Sequence, residues 1–246
     1  MTAGHAARHL GLQLRLLARD RQLLFWNVGL FILLLLLFLG PLSGRDASVR
    51  VMLAAGLVTT QIMANALFSV GVGLSSARSR GVFRRYAVTP APRGLAVGGA
   101  IAARVLLVCA AGVLQIVIAR VLFDLPWTGG LSSIVATIAA GTIAFAGIGF
   151  LIAAIARAPH SANTAANLVF IPMLALGGTA LPASMMPDAW ARVHWILPTA
   201  TIFNGLIDAF VAGHTMLDNA SRLAYLLGWG AVTGVAAAYL WNRRGA

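Results

Sequence analysis

Three stretches without a charged residue constrain this chain more than any other feature. They cover residues 22–44, 51–77 and 125–156, and are 23, 27 and 32 residues long. About 20 apolar residues of helix cross the roughly 30 Å hydrocarbon core of a bilayer, so each stretch can span. Soluble domains carry about 25% charged residues, whereas this chain carries 10%. The fold class is an all-α polytopic membrane protein.

Apolar runs and Pro/Gly punctuation divide the 246 residues into an N-terminal segment, 1–22, and a membrane domain, 23–246. Six spans are expected at about 23–42, 52–76, 97–122, 131–155, 162–181 and 222–241. Between the last two, residues 182–221 hold Pro182, Pro187 and Pro198 and two short apolar pieces, 189–197 and 199–211. Neither piece can cross, so a short extracellular re-entrant hairpin is expected before the sixth span. In the N-terminal segment Arg8, Arg15 and Arg19 share one helical face and Leu10, Leu14 and Leu17 the opposite one, with Leu12 and Arg21 off the pattern. It reads as an amphipathic surface helix, the alternative being a flexible basic leader. No A-x-A-like site precedes the first span, which favours an uncleaved anchor over a signal peptide.

All 18 basic residues are arginine and all six acids are aspartate. With both termini cytoplasmic, twelve arginines fall inside, in the N-terminal segment, the 78–93 loop, at Arg157 and at the C-terminal end. Five fall outside: Arg45, Arg50, Arg120, Arg192 and Arg222. This is a positive-inside bias. The formal charge of +12 therefore reports topology, and no basic-aromatic module points to nucleic acid. Arg104 stands near the start of the third span, where a long side chain can snorkel.

Enzyme chemistry finds little footing. With no lysine the chain cannot build a P-loop. The closest aspartates are Asp208 and Asp218, the five histidines lack metal-ligand spacing, and Cys109 is alone. No catalytic, cofactor or metal site is expected. Asp208, in the short hairpin, leaves a weak opening for proton coupling. Gly94/Gly98 and Gly230/Gly234 read as small-xxx-small packing pairs.

Polar residues inside the spans are more informative. Gln61, Asn65 and Ser69 lie at i, i+4 and i+8 on the second span, and Asn163 and Asn167 form a similar pair on the fifth. Such stripes can be interhelical hydrogen-bonding glue or the wall of a transport path. Both readings stay open on the sequence.

The one densely cationic island is "SSARSRGVFRRYAVTPAPRG", residues 75–94, with five arginines and no acid. Its first part can form a short helix that Pro90 and Pro92 stop. The order of Arg80, Gly81, Arg84, Arg85, Thr89 and Pro90 resembles the coupling segment of type-2 ABC exporter permeases, especially the daunorubicin-resistance-like drug exporters. A second match is the run from Gly149 to Leu206, with Pro172, Gly178, Pro182, Pro187, Trp190 and Pro198 in family-like order. Three positions depart from it. Ala77, Arg78 and Ser79 stand where many relatives carry a glutamate, Gly99 where a basic residue is common, and Gly177-Gly178 where Ser-Gly is frequent.

The resemblance implies a multi-pass subunit of the bacterial inner (cytoplasmic) membrane, paired with a second copy or close paralogue. It implies a separate ABC ATPase subunit that binds ATP and Mg, docked on a cytoplasmic coupling helix within 78–93, with Arg78 among its contacts. It implies export of a small hydrophobic, drug- or antibiotic-like molecule. A non-transporting membrane scaffold and a polytopic membrane enzyme are the rival readings.

Overall fold

The computed structural model of the chain describes residues 11, 13–15, 17, 19–42, 46–83, 93–126, 128, 131–179 and 187–243, and among these every regular element is helical. Eight helices are numbered here in chain order. They are α1 Arg21–Leu39 and α2 Ala47–Ser79, α3 Arg93–Phe123, α4 Leu131–Ile155 and α5 Pro159–Leu176. Two short helices, α6 Asp188–His194 and α7 Pro198–Val211, precede α8 Ala220–Arg243. Described residues ahead of α1, at 11, 13–15, 17 and 19, are also helical.

Five of these helices are long and apolar enough to cross a bilayer: α1, α2, α3 from Ala96 onward, α4 and α8. Helix α5 lies where a fifth span is expected, but its first half carries His160, Ser161, Asn163, Thr164 and Asn167 and is correspondingly less apolar.

Local chemistry sets the ends. Asp20 caps α1 by accepting the Leu23 N–H at 3.0 Å. Helix α2 starts several residues earlier than the apolar run alone indicates. Its first turn closes on the Asp46 carbonyl, which accepts the Val49 and Arg50 N–H groups, and the Arg50 guanidinium donates to the Phe123 carbonyl at 2.5 Å. Helix α5 is likewise shifted toward the N-terminus. Pro159 occupies its first turn and Ser161 bonds both backbone groups of Ala158. It stops at Gly177-Gly178, where Gly178 adopts φ +81°, a conformation glycine enters at little cost.

Contacts between helix ends fix the relative directions. At one end Arg50 meets Phe123, Asn219 donates to Ser133 at 3.0 Å, and Thr128 donates to the Phe210 carbonyl at 2.6 Å. At the other end Arg78 donates to the Ala156 carbonyl and lies 5.0 Å over the Trp241 ring. Helices α2, α4 and α8 therefore run in the same direction, with α3 and α5 antiparallel to them.

Helix α4 is the centre of the bundle. Its most apolar window is 72% buried and that of α2 67%, against 22% for α1 and 28% for α8. Close approach explains this. A Cβ at Gly147 would meet the Thr233 hydroxyl and the Gly230 carbonyl of α8, the latter at 2.8 Å, and one at Gly149 would meet the Ala66 carbonyl of α2 at 2.7 Å. Of the four glycines expected to pack helices, Gly230 does so within the protomer, whereas Gly94, Gly98 and Gly234 have nothing within 4 Å of a built Cβ. Helix α7 packs on the first half of α4, with Ile202 over Gly141, and is too short at 14 residues to cross.

A polar cleft between α1, α2, α3 and α5

The site grows from two irregular turns. Helix α1 winds as π-helix over Phe25–Gly29 and α2 over Ala66–Val72. A π turn widens the helix and displaces its hydrogen-bond ladder. At these turns the two helices are tied by an amide. Asn65 Nδ2 donates to the Asn27 carbonyl at 2.7 Å, while Asn27 Nδ2 donates to the Leu23 carbonyl at 2.8 Å. Both asparagines are buried.

Beside this tie, toward the Arg78 end, a cleft of about 620 Å³ opens among the N-terminal residues, α1, α2, the start of α3 and Asn163 of α5. Its apolar walls include Leu17, Trp26, Phe68 and Val72, and its polar groups include Asp20, Asn65, Ser69, Arg80, Arg104 and Asn163. The Ser69 hydroxyl, Asn27 Oδ1 and Arg104 Nε are buried with no hydrogen-bond partner among the described residues.

The stripe read on the second span divides here. Asn65 and Ser69 face the cleft. Gln61, one turn before the π segment, turns away and donates from Nε2 to the Val108 carbonyl of α3 at 3.4 Å. On α5, Asn163 lines the cleft. Asn167 instead bonds its own helix, donating to the Asn163 carbonyl at 3.0 Å.

Of the coupling positions, Arg78, Arg80 and Gly81 are described; Arg84, Arg85, Thr89 and Pro90 lie outside the described residues. Gly81, at φ +70°, closes the turn that ends α2. Arg80 lines the cleft. Arg78 points into the bundle, bound to the Ala156 carbonyl in the α4–α5 turn and stacked on Trp241 of α8. Phe83 and Phe150 pack on the same indole, with ring centres 5.6 and 5.7 Å away. The end of α2, the α4–α5 turn and the end of α8 thus share one clasp.

A family model described as ABC-2 type transporter matches residues 11–211. The chain belongs to the ABC-2 type transporter family. The match extends from the helical residues before α1 through α7, and so contains the whole cleft. ABC transporter G family member 36 of Arabidopsis thaliana is 39% identical to it over 57 residues, 23% of this chain. The match spans 4% of that relative's length.

The sequence reading missed Asn27, Trp26 and the tie between α1 and α2, and did not bring Asp20, Arg80 and Arg104 into one cleft. Asn27 carried a signal, as an isolated amide well inside an apolar run. The π turns carried none.

Proposed function

We propose that this ABC-2 chain is the permease of an ATP-driven exporter and moves a hydrophobic small molecule of drug-like size out of the cytoplasm. The cleft supports this reading most directly. It is half-open, polar on an apolar wall, and placed at the arginine-rich end, which positive-inside bias assigns to the cytoplasm. A small-molecule site of about 300–1,000 Å³ is ordinary.

In this reading α5 is the fifth of six spans and α8 the sixth, α6 and α7 form an external re-entrant hairpin, and both termini are cytoplasmic in an inner membrane. A second copy or close paralogue packs near α2 and α5. In support, Leu168 and Ile171 of α5 are 75% and 61% exposed in the protomer. A separate ATPase subunit binds ATP and Mg and presses on the 78–93 loop. The Arg78 clasp would pass that movement from α2 to the α4–α5 turn and α8 together. Only a cargo with different affinity for the two arrangements is moved by such rocking.

The test is ATP-dependent flux of a lipophilic dye into vesicles carrying this chain and its co-purified ATPase. Reversal of both Arg84 and Arg85 to glutamate should leave insertion intact, because ten other inside arginines remain. It should uncouple ATP turnover from flux or release the ATPase, since reversing a buried charge contact costs about 2–5 kcal/mol. A double variant that inserts, keeps its ATPase and exports at the parental rate would remove the coupling role.

A further inference from the structure

The cleft has an imbalance that a neutral hydrophobic cargo does not use. Two guanidiniums, Arg80 and Arg104, line it together with one carboxylate, Asp20. Asp20 spends Oδ1 on the α1 cap, and neither arginine forms an ion pair among the described residues. Arg104 sits roughly 16 Å along α3 from its first residue, at about 1.5 Å rise per residue. Its head bends back toward the cleft end, donating from Nη1 to the Ala100 carbonyl at 2.9 Å. Its Nε is buried without a partner. The guanidinium lies against Gly73 of α2, where a built Cβ would be 3.3 Å from Nε and 3.4 Å from Nη2. Any larger residue at 73 would crowd it.

A guanidinium offers five donors in a planar fork that suits anionic oxygens. Asn65 and Asn163 add amides, while Trp26, 55% exposed, and Phe68 supply an apolar wall beside the cationic end. We propose that the cleft binds a phosphate group, held by Arg104 and Arg80, with any attached hydrocarbon lying along Trp26 and Phe68. The inference rests on the reading of the cleft as the cargo's route and names the chemistry of the cargo's head.

The experiment uses the full chain purified in dodecyl maltoside, with thermal unfolding followed against probe concentration. The probes are dodecyl phosphate, inorganic phosphate and dodecyltrimethylammonium. Dodecyl phosphate should stabilise saturably, with affinity at least about tenfold tighter than the ammonium probe. Arg104→Gln should weaken it about tenfold or more, and Arg104→Lys should restore part, keeping the charge but losing the fork. Asn163→Asp, an exposed position that a folding defect should not reach, should weaken phosphate binding by like charge and spare the ammonium probe.

A preference for dodecyl phosphate assigns the site to a lipid-type phosphate, and equal binding of inorganic phosphate to the free anion; either upholds it. Equal stabilisation by cation and anion, or unchanged phosphate binding in both Arg104→Gln and Asn163→Asp, overturns it. Phosphate binding without ATP-dependent dye flux would uphold the site and sink the transport reading. Dye flux without phosphate binding would do the reverse.

Discussion

The two sides of α2 are built on opposite principles. Toward α4, the π segment is closed by glycine: Gly71 and Gly149 face each other so nearly that a Cβ on either would reach the other helix's backbone. Helix α4 continues the same closure onto α8 at Gly147 and Gly230. Toward α1 one amide tie, Asn65 to the Asn27 carbonyl, and toward α5 the Phe68–Phe170 ring contact border an open cleft, where the buried groups Asn27 Oδ1, Ser69 Oγ and Arg104 Nε go unpaired. In a bilayer, where apolar burial gives little drive to helix association, close backbone approach supplies rigidity. One side is a close-packed frame, the other a polar opening.

The hardest way to break that comparison is to fill the frame. Gly147→Leu would drive a side chain into Thr233 and the Gly230 carbonyl. Overpacking costs about 1–3 kcal/mol and more where backbone blocks the shift, so folded yield and thermal midpoint should fall sharply. The control is Gly98→Leu, where a built Cβ meets nothing within 4 Å, and it should leave both nearly unchanged. Equal damage from the two would show that the glycine frame is no more demanding than the rest of the bundle.

What the amino-acid pattern disclosed follows from the same division. Charge-free runs reveal helices, because crossing a bilayer demands them, and α4 coincides with the expected span of 131–155. The polar stripe of α2 was legible as composition but not as direction. Gln61 and Asn65 both precede the π segment that begins at Ala66; at i, i+4 they share a face only loosely, and one reaches the Val108 carbonyl of α3 while the other reaches the Asn27 carbonyl of α1. Arg78 illustrates the other gap. Its place in a cationic loop resembles a docking contact, yet its guanidinium folds inward onto Ala156 and Trp241, partners 78 and 163 residues away in a sequence that offers no local sign of either. Arg104 was visible as an interfacial arginine; that it shares a cleft with Arg80 depends on the crossing of α2 and α3.

The open side is probed more gently by its amides. Asn65→Leu removes the tie to the Asn27 carbonyl, a contact worth about 0.6–2 kcal/mol in membrane proteins. It should shift the substrate profile of dye flux while the assembled fraction stays close to parental. Asn167→Leu loses only a bond within its own helix and should change assembly less still. Should Asn65→Leu lower assembly and leave the profile untouched, the amide would be glue, and the cleft would belong to the frame.

The smallest expected effect lies far from both sides, at the turn before α8. Asp218 Oδ2 accepts the Thr215 N–H and hydroxyl, both at 2.8 Å, and the backbone bond chiefly holds its carboxyl below the usual carboxylate range. The folded pKa is thus lower than the unfolded one. Its stabilisation is complete above the unfolded pKa of about 3.9 and disappears as pH falls through the folded value. Because Asp218 is fully exposed, solvent screens the contact and the gain is slight. Asp218→Asn should leave the thermal midpoint at pH 7 almost unmoved. It should flatten only the last part of the acid limb of a midpoint-versus-pH curve. A large loss at neutral pH would instead mean that the 215–218 turn orients α8 against α4, extending the frame to the loop that the Asp208–Arg222 pair, at 2.5 Å, already braces.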